Sequence, residues 1–415
     1  MEIQVARLRD TLGILKPAVP RKPTLKILEN ALVKDGQLMA TDLDSMVIIN
    51  MPEADESFLL PYQEIVEMIQ YVPGYEYMAM HVKRGKLTLS WSEGEATYPT
   101  QDIEEFPSIP AFEVMDEADI DGDTFIPTLK AALPYAATGS DRPVLNGVTV
   151  QFGAPIEVSA GDGFRMAHIV LPLEFPAEYT TIIPAGAVST LVHVMDKTPR
   201  TPSLGEGFVD AMLARRQLRV ALDSKRGLRV VFSPSVSTII KLVDGNPPAW
   251  LKLIPKDEPI LKAQFFAREL DTAVRRVKDV AQQSSGLVRL QFDGDTGIVS
   301  ARADGKEVSA KISVLNMQGA PNRLALSVGY LTEYLRGKDG IITMSWTGNT
   351  SPVSFQASKS PRVIIMPMEA KWDKPLPADQ TEPEAATSSP EQPAEAEPEA
   401  NTSKPQKRPR KKKQG

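Results

Sequence analysis

The chain of 415 residues has no cysteine, only three histidines and few aromatic side chains. Without a thiol it can form neither a disulfide nor a thiolate metal site, so a cytoplasmic protein is the default expectation. No apolar run approaches the roughly 20 residues that span a bilayer. Residues 1–7 also lack the apolar core of a secretory signal. These absences predict a soluble protein that does not enter a membrane.

Motifs that carry chemistry are absent as well. There is no Gly-x-Gly-x-x-Gly, no phosphate-binding loop with Gly-Lys-Ser/Thr, and no His-Glu-x-x-His. The histidines, His81, His168 and His193, stand far apart, and we expect structural or surface roles for them. Asp42 and Asp44 could be paired carboxylates for acid/base catalysis, but aspartate is equally typical of a turn between strands, which we favour. The sequence therefore predicts no enzyme, no catalytic residue, no metal and no cofactor.

A repeated helix start is the main positive signal. An apolar residue precedes Pro61, Pro184 and Ser327, and large apolar residues then follow at i, i+3 and i+4, the spacing of one helix face. These residues are Ile65, Met68 and Ile69, then Val188, Leu191 and Val192, then Leu331, Tyr334 and Leu335.

A second landmark confirms the repeat spacing. Further helical stripes begin at Leu8, Leu129 and Leu270, which are 121 and 141 residues apart. The three helix starts are 123 and 143 residues apart, so the two sets of spacings agree within two residues. Between the helices the apolar period changes to 2, which is typical of strands. The strand-like segments include 37–41, 45–49, 86–91, 148–152, 218–222 and 341–346. The chain therefore reads as an α+β protein of three tandem units, each with two helices packed on antiparallel sheet.

The last forty or so residues differ in composition. They are rich in Pro, Ala, Glu, Ser and Thr, too poor in apolar side chains to offset the entropy of ordering, so we predict a disordered tail at 372–415. Seven acidic residues from Asp379 to Glu399 precede seven basic residues from Lys404 to Lys413, so the net charge of −6 belongs to the folded body. The basic end is either a solubility tail or a loose nucleic-acid tether.

Seven short motifs, in register on this repeat, resemble the bacterial DNA polymerase III beta sliding clamps. The motifs are Lys22 to Asn30, Ala40 to Asp44, Glu105 to Pro107, Arg142 to Gly147, Gly161 to Ala167, Lys241 to Pro248 and Ile364 to Met368. The resemblance runs to about residue 370 and implies clamp domains at 1–117, 118–255 and 256–371. It further implies that two such chains form a six-domain homodimeric ring around double-stranded DNA, without sequence preference.

The resemblance also implies sites and partners. The partners are the polymerase III catalytic subunit, the clamp loader and other proteins with clamp-binding peptides, which a cleft between the second and third domains captures. The cleft residues carried over are Leu145, Gly161, Gly163, Phe164, Arg165, Met166, Pro248, Lys252, Leu253, Ile364, Ile365, Met366, Pro367 and Met368. DNA contacts are carried over to Arg21, Lys22 and Arg142, and the dimer contact to Phe106, Ile109, Val277 and Val280.

Several positions depart from the family pattern. Gly161 stands where threonine is usual, Phe164 where histidine is frequent, and Lys252 where arginine occurs. Asp279 falls where the dimer contact would have an apolar residue, and the loop before Arg142 is short. The alternative to a clamp is a monomeric, clamp-like peptide-binding scaffold that does not encircle DNA.

Overall fold

The computed structural model describes residues 1–139, 141–200, 215–224, 226–348, 351–357 and 361–372. The predicted tail, apart from Trp372, lies outside the described residues.

The described residues form six α-helices. They are α1 (Val5–Leu15), α2 (Tyr62–Ile69), α3 (Gly122–Ala132), α4 (Ala185–Lys197), α5 (Ala267–Gln282) and α6 (Val328–Leu335). The residues immediately before α2, α4 and α6 are Pro61, Pro184 and Ser327. This confirms the predicted helix starts. The stripes predicted on the other three helices are also core residues, since Leu8, Leu129 and Leu270 are fully buried.

Strands of the first third of the chain are β1 (Glu2–Gln4), β2 (Asn30–Lys34), β3 (Gln37–Thr41), β4 (Ser45–Asn50), β5 (Phe58–Pro61), β6 (Tyr77–Lys83), β7 (Lys86–Trp91) and β8 (Gly94–Pro99). The middle third contributes β9 (Val114–Asp121), β10 (Gly147–Phe152), β11 (Ile156–Gly161), β12 (Arg165–Leu171), β13 (Tyr179–Pro184), β14 (Gln217–Asp223), β15 (Gly227–Ser233) and β16 (Val236–Lys241). The last third contributes β17 (Leu261–Phe266), β18 (Leu287–Asp293), β19 (Thr296–Ala303), β20 (Lys306–Ser313), β21 (Asn316–Gly319), β22 (Asn322–Ser327), β23 (Ile341–Trp346), β24 (Val353–Ala357) and β25 (Arg362–Ile365).

These strands form four antiparallel sheets. Their orders are β1-β6-β7-β8, then β5-β2-β3-β4-β16-β15-β14-β9, then β13-β10-β11-β12-β25-β24-β23-β17-β21, and finally β20-β19-β18-β22. Each third of the chain thus has two helices and eight or nine strands, and the predicted α+β fold is confirmed. The helices bury their apolar faces on the sheets. This agrees with the sequence, in which the apolar spacing of a helix alternates with the period of 2 that is typical of strands.

Two of the sheets run from one third of the chain into the next. Strand β4 pairs with β16, with Met46 opposite Ile239, and β12 pairs with β25, with Met166 opposite Ile364. A boundary between residues 117 and 118 would cut through β9, so we place the first boundary before Val114. No helix of the described residues is both long and apolar enough to cross a membrane.

Candidate peptide cleft and sheet edges

A tight turn between β11 and β12 forms one wall of the predicted cleft. One carboxylate oxygen of Asp162 accepts hydrogen bonds from the backbone N–H groups of Phe164, at 2.9 Å, and Arg165, at 3.0 Å. Gly163 between them has φ +98°, a left-handed conformation that favours glycine. The turn leaves the Phe164 ring 63% exposed.

Beneath this wall lies a small apolar cluster, separate from the main core. It contains the predicted cleft residues Leu145, Met166 and Ile364, each no more than 3% exposed. Trp250, which the sequence reasoning missed, closes the cluster, and its indole N–H donates to the Thr149 hydroxyl at 3.0 Å. The cluster is therefore a filled floor, and an apolar ligand would contact the side chains around it.

Those surrounding side chains form an exposed apolar rim, defined here as Phe164, Leu253, Met366 and Met368. The last three are between 38% and 50% exposed. The backbone N–H of Met366 donates to the Phe164 carbonyl at 2.8 Å, which holds the segment after β25 against the turn.

Five more predicted cleft residues differ in burial. Gly161 and Ile365 are buried in the strands, and Pro248 and Pro367 are half-buried. Lys252 is exposed on a 3-10 turn, Trp250–Leu253, and borders a surface recess of about 400 Å³.

Arg165 is placed differently from the rest of the predicted cleft. Its guanidinium donates to Asp162 at 3.0 Å, to Glu333 on α6 at 2.8 Å and to the carbonyl of Pro134 at 2.9 Å. The side chain is only 8% exposed. Burial acts to lower its pKa, but the hydrogen bonds to Glu333 and Asp162 outweigh burial and raise the pKa above the ordinary value.

Two aromatic rings complete the setting of this arginine. The guanidinium carbon lies 4.5 Å from the centre of the Tyr330 ring and 5.2 Å from that of Tyr135. Tyr135 follows α3 and Tyr330 lies on α6, so Arg165 joins the middle third of the chain to the last third. It links the turn to α6 and to the segment after α3.

The three predicted DNA contacts are exposed but occupy two places. Arg21 lines a recess of about 960 Å³ between α1, α2 and α4, next to Lys22 in the chain. Arg142 lies at the cleft turn, where its Nη2 is 3.1 Å from the position of an ideal β-carbon on Gly163.

Three other cations on the helices have partners within the chain, and three more on or next to the helices are exposed. Arg7 forms an ion pair with Glu53, Arg9 donates to the carbonyls of Ile69 and Val72, and Arg275 pairs with Asp271 at 2.7 Å. Lys130, Arg276 and Arg336 are exposed.

Of the four predicted dimer contacts, two are core residues of their own subunit. Phe106 is 5% exposed in a cluster with Ile27 and Ile239, and Val277 is fully buried. Within the chain, each of these side chains completes an apolar core. Ile109 is 42% exposed, and Val280 is half-buried near the end of α5.

Strands β8 and β20 are edges of the two smaller sheets, each pairing with a single strand of the described residues. The repeat relates these two edges to strands elsewhere in the chain. In sheet order, β8 comes after β1, β6 and β7. In the same way β16 comes after β9, β14 and β15, and β25 comes after β17, β23 and β24. Strand β20 comes last after β22, β18 and β19, as β4 comes after β5, β2 and β3, and as β12 comes after β13, β10 and β11. The β4–β16 and β12–β25 junctions therefore have a third counterpart, β20 with β8, which the described residues leave unmade.

Three helix pairs on sheets that continue edge to edge, with one such junction left open, define the fold of the DNA sliding clamps. The solved clamp of Pseudomonas aeruginosa is similar to this chain, with a TM-score of 0.79 at 19% identity over 89% of this chain and all of that one. The DNA polymerase III beta subunit of Thermotoga maritima has a TM-score of 0.76 at 21% identity, covering 89% and 99% of the two chains.

Curated proteins give the same result from sequence. The beta sliding clamp of Synechococcus elongatus is 22% identical over 382 residues, 88% of this chain and 97% of that protein. The beta sliding clamp of Synechocystis sp. is 22% identical over 381 residues, 84% and 93% of the two. No family model matches the chain. The resemblance drawn from the seven motifs is confirmed by these relatives.

Among the residues that the structure describes, no group of three or more His, Asp or Glu side chains is placed to hold a metal ion. Asp42, considered above for acid/base work, accepts hydrogen bonds from the backbone N–H groups of Asp44 and Ser45. It is a turn-forming aspartate, as expected.

Proposed function

We propose that this protein is a DNA sliding clamp, which gives the replicative polymerase processivity by encircling duplex DNA. The observation that carries the proposal is the pair of matching strand edges, β8 and β20. Two of three equivalent junctions are made inside the chain. In the proposed homodimer, β20 of each subunit pairs with β8 of the other, and the two chains close as a ring of six domains. Curated relatives named beta sliding clamp, matched over most of both chains, support this function.

Ring closure also gives a role to the two predicted dimer contacts that are not buried in a core, Val280 and Ile109. The Lys306 ammonium at the start of β20 donates to the Gln283 side chain just after α5, at 3.1 Å, so the end of α5 lies beside this edge. Val280 is within that last turn of α5. In the proposed ring it contacts the partner together with Ile109, which follows β8 in the chain.

Binding of DNA in such a ring is topological. The whole chain carries a formal charge of −6, which opposes tight, non-specific adhesion to a polyanion. Exposed cations on or next to the helices, including Lys130 and Arg276, would keep the duplex centred without gripping it, together with Arg21 and Lys22. Such contacts go to phosphates and carry no sequence information.

In this proposal the exposed apolar rim captures peptides of the polymerase III catalytic subunit, the clamp loader and other clamp-binding proteins. Because the floor is filled by Trp250, apolar anchors of the peptide rest on Phe164, Leu253, Met366 and Met368. Flexible methionines suit a surface that accepts several partners. The protein would act in the cytoplasm and without catalysis. A monomeric scaffold is not favoured, since it leaves the β8 and β20 edges unexplained.

The chain's lack of cysteine allows a direct test of ring closure. Thr97→Cys on β8 and Ser309→Cys on β20 would supply one thiol at each edge, and a short bismaleimide would join them across the proposed junction. The double variant should give a covalent, closed dimer, whereas either single variant should give only monomers on a denaturing gel. Absence of the crosslinked dimer would overturn the β8–β20 junction.

Encirclement needs a second measurement. Protein loaded by an ATP-driven clamp loader on a nicked circle should resist high salt and leave once the circle is cut, because only electrostatic binding weakens as salt rises. Crosslinking of the loaded double variant should make it resist denaturant on the circle. Equal salt sensitivity on circular and linear DNA would reject the clamp function.

A further inference from the structure

The junction between the first two thirds of the chain repeats the backbone construction of the peptide cleft. In the β3–β4 turn, one oxygen of Asp42 accepts from the N–H groups of Asp44 at 3.1 Å and Ser45 at 2.7 Å. Asp162 does the same for the two residues at matching positions of the β11–β12 turn. The two turns are therefore built alike.

The strands that meet these turns are also held alike. The Lys241 N–H donates to the carbonyl of Asp44 at 2.8 Å, as the Met366 N–H donates to that of Phe164 at 2.8 Å. Lys241 thus corresponds to Met366, and Asp44 corresponds to Phe164. The rim positions at this junction are more polar than those of the cleft.

A groove of about 350 Å³ lies at this junction. Its apolar wall comprises Leu43, Met46, Phe112 and Ile239. Four charged residues, Asp44, Asp223, Arg226 and Lys241, also line it. The Arg229 guanidinium lies 4.8 Å from the centre of the Phe112 ring, a cation–π contact. This volume is within the range of small binding pockets.

Leu43 is the unusual residue of the groove. Its φ is +79°, the left-handed region in which Gly163 sits at the matching turn position, and its side chain is 49% exposed. A bulky residue in this conformation is strained, and such strain concentrates at functional sites. About half of the Leu43 side chain is exposed in the groove, where a ligand could contact it.

We propose that this groove is a second peptide-binding site. Its occupant is a short, extended segment of a partner protein with a single large apolar side chain between charged residues. The apolar side chain contacts Leu43 and Phe112, and the flanking charges complement Lys241 and Asp44, which replace the apolar rim of the cleft. This inference rests on the proposed function only in taking the cleft as a peptide site.

The test uses the full chain and a phage-displayed library of random 12-residue peptides. Selection is carried out on a variant with Met366→Asp and Met368→Asp, which disables the cleft rim but leaves the groove intact. Enriched peptides are then measured by fluorescence anisotropy against the unmodified protein, Leu43→Gly and Leu315→Gly. Leu315 is the matched control, a leucine 45% exposed in another turn.

Leu43→Gly should lower the affinity for these peptides by about tenfold or more, because it removes an apolar contact. The midpoint of thermal unfolding should not fall, because glycine relieves the backbone strain. Leu315→Gly should leave affinity unchanged. The proposal is overturned if no peptide is enriched or if enriched peptides bind Leu43→Gly equally well. It is also overturned if Leu43→Gly changes the mass of the assembly in solution, because the groove would then be a contact between copies. Failure of the clamp function would show separately, in the retention on circular DNA.

Discussion

The indole ring of Trp250 occupies the space that a side chain on Gly161 would need. An ideal β-carbon on Gly161 would lie 2.7 Å from Cζ3 of Trp250 and 2.9 Å from the carbonyl oxygen of Arg165. Both distances are shorter than carbon contacts in folded proteins allow. Trp250 therefore explains why glycine stands where the resembled family usually has threonine, and these two residues together set the shape of the cleft floor.

Gly161→Ala should destabilise the protein by about 1–3 kcal/mol, because the added methyl overpacks the floor against both a ring and the backbone. Chemical denaturation measures the change. Gly186→Ala is the control, since a β-carbon at this exposed position of α4 meets no atom within 4 Å. That variant should be neutral or stabilising by up to about 1 kcal/mol. Equal stability of the two variants would contradict the packing described.

Arg165→Lys should cost about 2–4 kcal/mol of unfolding free energy, because lysine keeps the charge but cannot make all three guanidinium contacts, and partly buried carboxylates lose their partner. The control is Arg268→Lys, whose ion pair with Asp339 is well exposed. It should cost less than about 1 kcal/mol. A small effect at Arg165 would mean that it does not hold the cleft walls together.

Val280→Asp should convert the protein into a folded monomer that does not remain on circular DNA. Losing an apolar residue at the centre of an interface can cost about 2 kcal/mol or more, and a new carboxylate would add to that loss. Light scattering at micromolar concentration gives the mass, and circular dichroism checks folding. Val170→Asp, at a valine 53% exposed on β12, should leave the dimer intact. A dimeric Val280→Asp protein would remove this residue from the junction.

Replacing Met366 and Met368 by aspartate should abolish capture of a polymerase peptide with two apolar anchors. A few exposed apolar contacts leave a dissociation constant near micromolar, about −8 kcal/mol, which the double variant should raise by at least about tenfold. Calorimetric titration measures it. Met115→Asp, at a methionine 49% exposed on β9, should bind normally. Unchanged affinity of the double variant would refute the rim.

Acid should weaken the protein through His168, whose Nδ1 lies 2.9 Å from the Ser159 hydroxyl oxygen. Burial lowers the pKa of His168, and neighbouring Glu157 only partly opposes this. The unfolded chain then binds more protons, so this stability is present above about pH 6.5 and is lost as the pH falls toward the folded pKa. His168→Gln should shrink the fall in the thermal midpoint between about pH 7.5 and about pH 5. An unchanged fall would exclude this histidine as the cause.

The repeat could be predicted from sequence because its signals are local. A starter such as Pro184 and the apolar spacing that follows it lie within one helix. The floor of the cleft could not, since the indole of Trp250 contacts Thr149 from 101 residues away and no periodic pattern marks it. Nor does an apolar residue reveal from sequence alone how far it is buried within its own chain: Phe106 and Val277, which the resemblance places at a dimer contact, are both buried.

The sheets shared at β4–β16 and β12–β25 also bear on how the chain melts. If one third of the chain unfolded alone, it would strip a row of backbone hydrogen bonds from its neighbour and leave an open strand edge. Chains of several domains commonly lose them one at a time. Here, partial melting carries a penalty in the adjacent unit, which couples the three units into one cooperative block.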